Sequence, residues 1–220
     1  MKEYLYSTDF IDCNNQNVID YAYSIIIKQD SSDIEKAISL YYAVRDDILY
    51  DPYHISLDRE KLKASYTLKS KRGFCVSKAV LLAAVARVVG IQSRLGFADV
   101  KNHLTTETLK KIMGTDIFTY HGYTELFLNN KWVKATPAFN RSLCDRFSIK
   151  PLEFDGINDS IFHAFDAKGE KHMEYIKDHG RYYDLPLNDI IESFKKYYPH
   201  MMEKYFSEII TNFEDEAKPI

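Results

Sequence analysis

Apolar residues recur along this chain with more than one period, and the places where the period changes divide it into elements. Val18, Tyr21, Ala22, Ile25 and Ile26 follow the polar stretch Asn14 to Asn17 at helical spacing, which predicts a first helix ending near Lys28. Ser32-Asp33-Ile34-Glu35 has the form of a capping box, in which a serine hydroxyl and a glutamate three residues on satisfy orphan backbone N–H groups. A second helix therefore begins there and carries Ile34, Ala37, Ile38, Tyr41 and Ile48 on one face until Asp51-Pro52 stops it. Residues 51 to 73 hold many charges and no sustained period, and read as a long loop with at most one short helical turn. From Cys75 to Val89 the pattern is apolar nearly all round, which predicts a buried central helix closed by Gly90.

A strand over Gln92 to Val100 follows, with imperfect alternation, then a short helix from Thr105 to Met113 closed by Gly114. Ile117 to Leu128 and Lys131 to Ala135 read as two strands around Asn129-Asn130, a pair that tolerates the positive φ of a two-residue hairpin turn. Such a turn sets the register: Tyr123 faces Thr136, Glu125 faces Lys134, and Phe127 faces Trp132. Past Pro137 the chain reads as irregular through Asp155-Gly156 and Lys168-Gly169, although His172 to His179 fits a helix. Leu187, Ile190, Ile191, Phe194 and Tyr198 predict a helix, and Met202 to Phe213 a second one after Pro199.

Composition narrows the function classes. The 220 residues, 45% hydrophobic and 14% aromatic, can fill a core, and the expectation is one domain over 1–220. With 29 basic against 32 acidic side chains there is no basic excess to neutralise phosphates, so nucleic acid is not an expected partner. The longest apolar run, Ala79 to Val89, is about half the ~20 residues a bilayer span needs and contains Arg87, so no membrane partner is expected. The N-terminal residues lack the pattern of a signal peptide, and three cysteines without paired spacing suit a reducing compartment; the expected location is cytoplasmic.

Those cysteines differ in context. Cys75 opens the apolar helix directly after Lys71-Arg72-Gly73-Phe74, where the helix N-terminus, helped by nearby basic residues, can stabilise a thiolate; a lone cysteine is otherwise most often a small buried hydrophobe. His121 lies in a strand among Phe118, Tyr120, Tyr123 and Phe127, and alone would read as a satisfied structural histidine. Together, a nucleophile at a helix start and a base on a later strand make the arrangement of a cysteine acyl-transfer site. Cys13 and Cys144 read as structural. His172 and His179 are spaced too widely for a zinc pair, His54, His103 and His163 read as surface or loop residues, and no metal or cofactor is expected.

Four segments carry a resemblance: Lys71-Arg72-Gly73-Phe74-Cys75-Val76-Ser77-Lys78-Ala79, Val89-Gly90-Ile91-Gln92-Ser93-Arg94, Tyr120-His121-Gly122-Tyr123-Thr124-Glu125-Leu126 and Lys131-Trp132-Val133-Lys134-Ala135-Thr136-Pro137. In order and type they resemble the bacterial transglutaminase-like superfamily over about Ile34 to Pro137. The resemblance implies a papain-like α+β fold: a buried central helix packed on an antiparallel sheet, with flanking N- and C-terminal helices, the latter an extension over about 185–213. It also implies Cys75 as nucleophile and His121 as base. Where the family pattern has an aspartate before the proline of the second hairpin strand, this chain has Thr136. The hairpin register puts Thr136 on the face of His121, one diagonal away, so its hydroxyl can accept from the imidazole but brings no anion. Asn140, Asp116 and Asp145 are the alternatives for that place.

The expected activity is attack of Cys75 on a peptide or side-chain amide, giving a thioester resolved by water (hydrolase) or an amine (acyltransferase), with the Cys75 N–H in the oxyanion hole. An arylamine N-acetyltransferase-like reaction is a further option, but that family's Arg-Gly-Gly-x-Cys is one residue longer than Arg72-Gly73-Phe74-Cys75. The competing expectation, motivated by Thr136, is a weak or inactive domain that binds peptide or a protein partner in the same cleft.

Overall fold

The computed structural model describes residues 2–26, 28, 30–103, 106–162 and 173–204. At its centre is α4 (Cys75–Val88), in which every residue from Cys75 to Arg87 is buried. Ala79, Ala83, Ala84 and Ala86 leave little side-chain bulk on this helix, so neighbours approach it from all sides. The helices α1 (Gln16–Ile25), α2 (Asp33–Asp47) and α3 (Ala64–Ser70) pack against it, as do strands β3 (Ser93–Asn102) and β4 (Ile117–Leu128). Thr124 on β4 donates to the Ala79 carbonyl at 2.8 Å, tying sheet to helix. Each Val or Leu fully buried here contributes about 1.5–3 kcal/mol of transfer free energy, which is why the flanking elements converge on this segment.

The sheet is antiparallel, in the order β5 (Lys131–Ala135), β4, β3, β6 (Met173–Tyr182). The hairpin forms as read: Asn129 and Asn130 have φ of 47° and 62°, and the ladder pairs Glu125 with Lys134 and Phe127 with Trp132. The capping box at Ser32 is present, with Ser32 Oγ and Glu35 each bonded to the other's backbone N–H. The predicted short helix is α5 (Glu107–Met113), capped by Thr106 and closed by Gly114 at φ 69°.

Four expectations are corrected. The first helix ends at Ile25 rather than near Lys28. Residues 51 to 73 are not one loop: short 3-10 turns at Pro52–His54 and Glu60–Leu62 lead to α3, and Arg72–Gly73 (β2) pairs in parallel with Leu49–Tyr50 (β1). The helix there buries only Ala64, Thr67 and Leu68, too few to make a visible period. Residues 141 to 147 form α6 (Arg141–Phe147) where irregular chain was expected. Where a helix was expected over His172 to His179, the described residues from Met173 on are strand: Met173 to Tyr182 is β6, at the sheet margin and buried only at Met173. Its polar, exposed sequence hides the two-residue period, and Gly180 at φ 94° absorbs a register shift against β3. Helices α7 (Leu187–Tyr197) and α8 (Pro199–Lys204) follow. The predicted continuation to Phe213 lies outside the described residues, as do His163 and His172.

Buried charges are paired or capped. Lys78, one turn into α4, donates to the carbonyls of Arg45 (2.9 Å) and Ile48, closing the C-terminal end of α2; burial brings its ammonium down to about 7. Glu125 lies between Arg94 (2.6 Å) and Arg181 (2.5 Å), and the Arg94 guanidinium stacks 4.1 Å over the Trp132 ring. Arg94, Glu125 and Trp132, which the sequence segments share, are thus one structural cluster. Among the described residues no helix is long and apolar enough to cross a membrane.

Removing the anion of this cluster takes from Arg94 its carboxylate partner and leaves Arg181 with Asp178 at 2.6 Å, both guanidiniums being partly buried. Glu125→Ala is expected to cost about 2–3 kcal/mol in urea unfolding, below the range for fully buried pairs because both arginines can reach water. An unchanged unfolding midpoint would show the cluster to be energetically idle.

Candidate active site

The chain enters α4 straight from β2. Gly73 pairs with Tyr50, and a side chain at Gly73 would collide with the Ser77 hydroxyl and meet Thr67 Cγ2 at 3.2 Å, so glycine permits the tight passage. Phe74 is the extended N-cap residue and Cys75 the first of the helix. The Cys75 sulfur accepts from the N–H groups of Gly122 and Val76. These donors favour a thiolate, but burial outweighs them and pushes the thiol up to about 11. The basic neighbours do not reach it: Arg72 pairs with Asp51 at 3.4 Å and the Lys71 ammonium lies over the Tyr21 ring.

Strand β4 brings His121 beside this helix start. At Gly122 a Cβ would stand 3.0 Å from the Val76 Cα, so the strand can lie on the first turn of α4 only because that residue has no side chain. The peptide joining His121 to Gly122 is therefore the one whose N–H meets the sulfur. Just before it, the β3–β4 register steps from Ala98–His121 to Val100–Phe118, leaving Thr119 and Tyr120 opposite Asp99 alone, a bulge in which Tyr120 takes φ 51°. A left-handed conformation costs a non-glycine residue about 1–2 kcal/mol, so the surroundings must hold it.

The imidazole of His121 packs on Phe162, ring centroids 5.1 Å apart, and Phe162 on Phe139 at 5.0 Å, which in turn meets Tyr50 at 4.8 Å. These rings close the site: Cys75 is 8%, His121 3% and Thr136 1% exposed. Among the described residues His121 Nε2 is buried without a hydrogen-bond partner, and burial pulls the imidazole down to about 4. In this closed arrangement thiol and imidazole are both neutral.

Thr136 lies one residue past the last pair of the β4–β5 ladder, Thr124–Ala135. Its hydroxyl is buried and has no hydrogen-bond partner among the described residues, so no bond to the imidazole is formed; its carbonyl accepts from Tyr41 at 3.1 Å. Asn140 is held at the end of β1, where Oδ1 accepts from the Tyr50 N–H (2.8 Å) and Nδ2 donates to Ser142 (2.7 Å). Asp116 pairs with Lys101 at 3.3 Å near solvent, and Asp145 is exposed on α6. Cys144 is buried and pushed up to about 12, and Cys13 is partly buried, its thiol also raised by burial. His103 is 3.6 Å from Glu174. Among the described residues no group of three or more His, Cys, Asp and Glu side chains could hold a metal ion.

The sequence reading missed Gly122, Tyr120, Phe162 and the pair Asp99–His179, whose side chains meet at 2.7 Å. One signal was available for Asp99, a lone charge within the apolar run Phe97-Ala98-Asp99-Val100. A cavity of about 390 Å³ lies on the same face as His121, lined by Ala98, Tyr123, Lys134, Ile161, Tyr175 and Lys177 among others.

The layout is α+β, a buried central helix packed on an antiparallel sheet, with Cys75 at the helix start and His121 on the strand that lies against it. Residues 20–137, more than half of the 220, match the family model of the transglutaminase-like superfamily, and the chain belongs to that superfamily. Membership supports a cysteine enzyme in general terms. Similar solved structures include a candidate cysteine protease from Cytophaga hutchinsonii (TM-score 0.46, 15% identity, 81% of this chain and 53% of that one). Another is the arylamine N-acetyltransferase from Mycobacterium abscessus (TM-score 0.41, 16% identity, 61% of this chain and 46% of that one). The chain spans about half the length of each. No curated protein sequence matches it.

The buried imidazole makes stability pH-dependent with a definite sign. Its folded value near 4 lies below the ordinary 6.5, so between those limits the unfolded chain binds the extra proton; the stabilisation is whole above pH 6.5 and is lost as pH falls toward 4. Between pH 7 and pH 5 this contributes about 2 kcal/mol of lost stability. Urea melts at the two pH values should show that difference shrinking by about this amount in His121→Gln. Equal pH sensitivity in the two proteins would mean that the imidazole is solvated.

Proposed function

We propose that the protein is a cysteine acyl-transfer enzyme acting on a peptide or side-chain amide through a thioester at Cys75. The observation that carries this reading is the Cys75 sulfur at the start of α4, bonded by the N–H that follows His121. A neutral imidazole can accept the thiol proton as the sulfur attacks the amide carbonyl, and then return that proton to the leaving amine. The backbone N–H of Cys75 is available to the oxyanion. Water or a second amine then displaces the sulfur from the thioester, and the choice between them decides hydrolase or transferase.

The aromatic cover dictates how this is tested. Iodoacetamide labelling followed by peptide mass mapping, with Cys13 and Cys144 as internal references, should show Cys75 slow in the wild type at neutral pH. Phe162→Ala should speed it about tenfold or more by admitting solvent and restoring thiolate character. Adding His121→Ala should cancel that gain. A double variant as fast as Phe162→Ala alone would remove the imidazole from any role in activation and sink the enzyme reading.

A second reading, a catalytically weak domain that binds a peptide or protein partner, is favoured by one observation: the Thr136 hydroxyl and His121 Nε2 are both buried and both without partners. Thr136→Asp separates the two, measured by the same labelling in the Phe162→Ala background. Under the acyl-transfer reading the rate should change by less than about threefold, whereas a gain of about tenfold or more would mark a site waiting for its anion.

A further inference from the structure

The partnerless Nε2 and Thr136 hydroxyl raise a physical question: with no hydrogen bond to Nε2 from the β5 side, something else must aim the imidazole. Beside the packing of Phe162 on the ring, the backbone before it is such a lever, because the bulge at Thr119–Tyr120 bears on the direction of both the His121 side chain and the Gly122 N–H.

That bulge is held by one carboxylate. Asp99 Oδ1 accepts from the Tyr120 N–H at 3.1 Å, from the Thr119 hydroxyl at 2.7 Å and from His179 Nε2 at 2.7 Å. The His179 ring then stacks on Tyr120, centroids 4.0 Å apart and planes 22° apart, clamping the residue with the positive φ from its side chain as well. From the other side, the Tyr198 hydroxyl at the end of α7 accepts from the Thr119 N–H at 2.6 Å and donates to the Ile117 carbonyl at 3.0 Å. Ser193 on α7 meets the Thr119 hydroxyl at 2.6 Å. Burial pushes the Asp99 carboxyl up, but the bonds from Thr119, His179 and Tyr120 outweigh it and keep it below the usual range, so it is an anion at neutral pH.

We infer that Asp99 and His179 are positioning residues for His121: they fix the Thr119–Tyr120 bulge from β3 and β6 and so do the aiming that a partner on β5 does not do here. The purpose assigned to this aiming rests on the acyl-transfer reading, whereas the coupling from Asp99 to the imidazole does not.

The test reads the imidazole directly by titrating its ring resonances by NMR in the full chain. In the wild type, His121 should stay uncharged to well below pH 6. Asp99→Ala should let the bulge relax and the ring reach water, raising its midpoint by about one pH unit or more, a tenfold change in the protonation equilibrium. Asp99→Asn keeps an acceptor for Thr119 and Tyr120 and should retain the wild-type titration, which a merely destabilising substitution would not allow. Should Asp99→Ala fail to fold, His179→Ala decides, since it removes only the stacking ring and one of the three donors; it should raise the midpoint in the same direction. The proposal is overturned if these alanine variants titrate like the wild type, or if Asp99→Asn shifts as far as Asp99→Ala. A Cys75 that forms no thioester with any amide would defeat the acyl-transfer reading and leave the titration result standing.

Discussion

The close contact of β4 with the first turn of α4 is the constraint on which the arrangement depends. A helix without a polar face must be covered on every side, and the sheet can cover its beginning only where the strand has no side chain to interpose, at Gly122. The contact puts a backbone N–H on the Cys75 sulfur and leaves His121 at the helix start. Burial of α4 and assembly of the site are thus the same packing event, and moving one moves the other. The cost is carried one residue earlier, in the left-handed Tyr120, where the ladder is broken to let the strand turn.

What was legible in the sequence was local. The capping box at Ser32, the Asn129-Asn130 turn and the register it imposes, and the apolar run of α4 all follow from interactions within a few residues, and each forms as read. The short helices α3 and α6 and the edge strand β6 were not legible, because each buries too few side chains for a period to stand out from polar sequence. The site divides the same way. Cys75 and His121 are marked by position in strong elements, whereas Asp99 and His179 lie 80 residues apart and meet only through the β3–β6 pairing that the sequence did not announce. For Thr136 the register could be read but not the hydrogen bonding, and its hydroxyl finds no partner.

The shared motif residues also separate into two kinds once their contacts are known. Arg94, Glu125 and Trp132 satisfy one another through ion pairs and a guanidinium stacked on the indole, which accounts for their presence without reference to chemistry. Cys75 and His121 are not explained that way. A buried thiol and a buried imidazole with no partner on Nε2 stabilise nothing that an alanine and a phenylalanine would not stabilise better. Groups kept at a cost to stability are the ones for which a function is needed as the explanation.

The closed site sets the order in which such a function must operate. Burial pushes the thiol up to about 11 and pulls the imidazole down to about 4, and both shifts oppose moving a proton from sulfur to nitrogen in the closed site. Burial therefore opposes an ion pair resting in advance of substrate. Both shifts come from desolvation, so both shrink together when the Phe162, Phe139 and Tyr50 rings part and water or an amide group enters. Under the acyl-transfer reading, activation and access are then a single step: the thiol becomes nucleophilic only as the site admits something for it to attack, and the N–H groups at the sulfur act once the burial that opposes them is relieved.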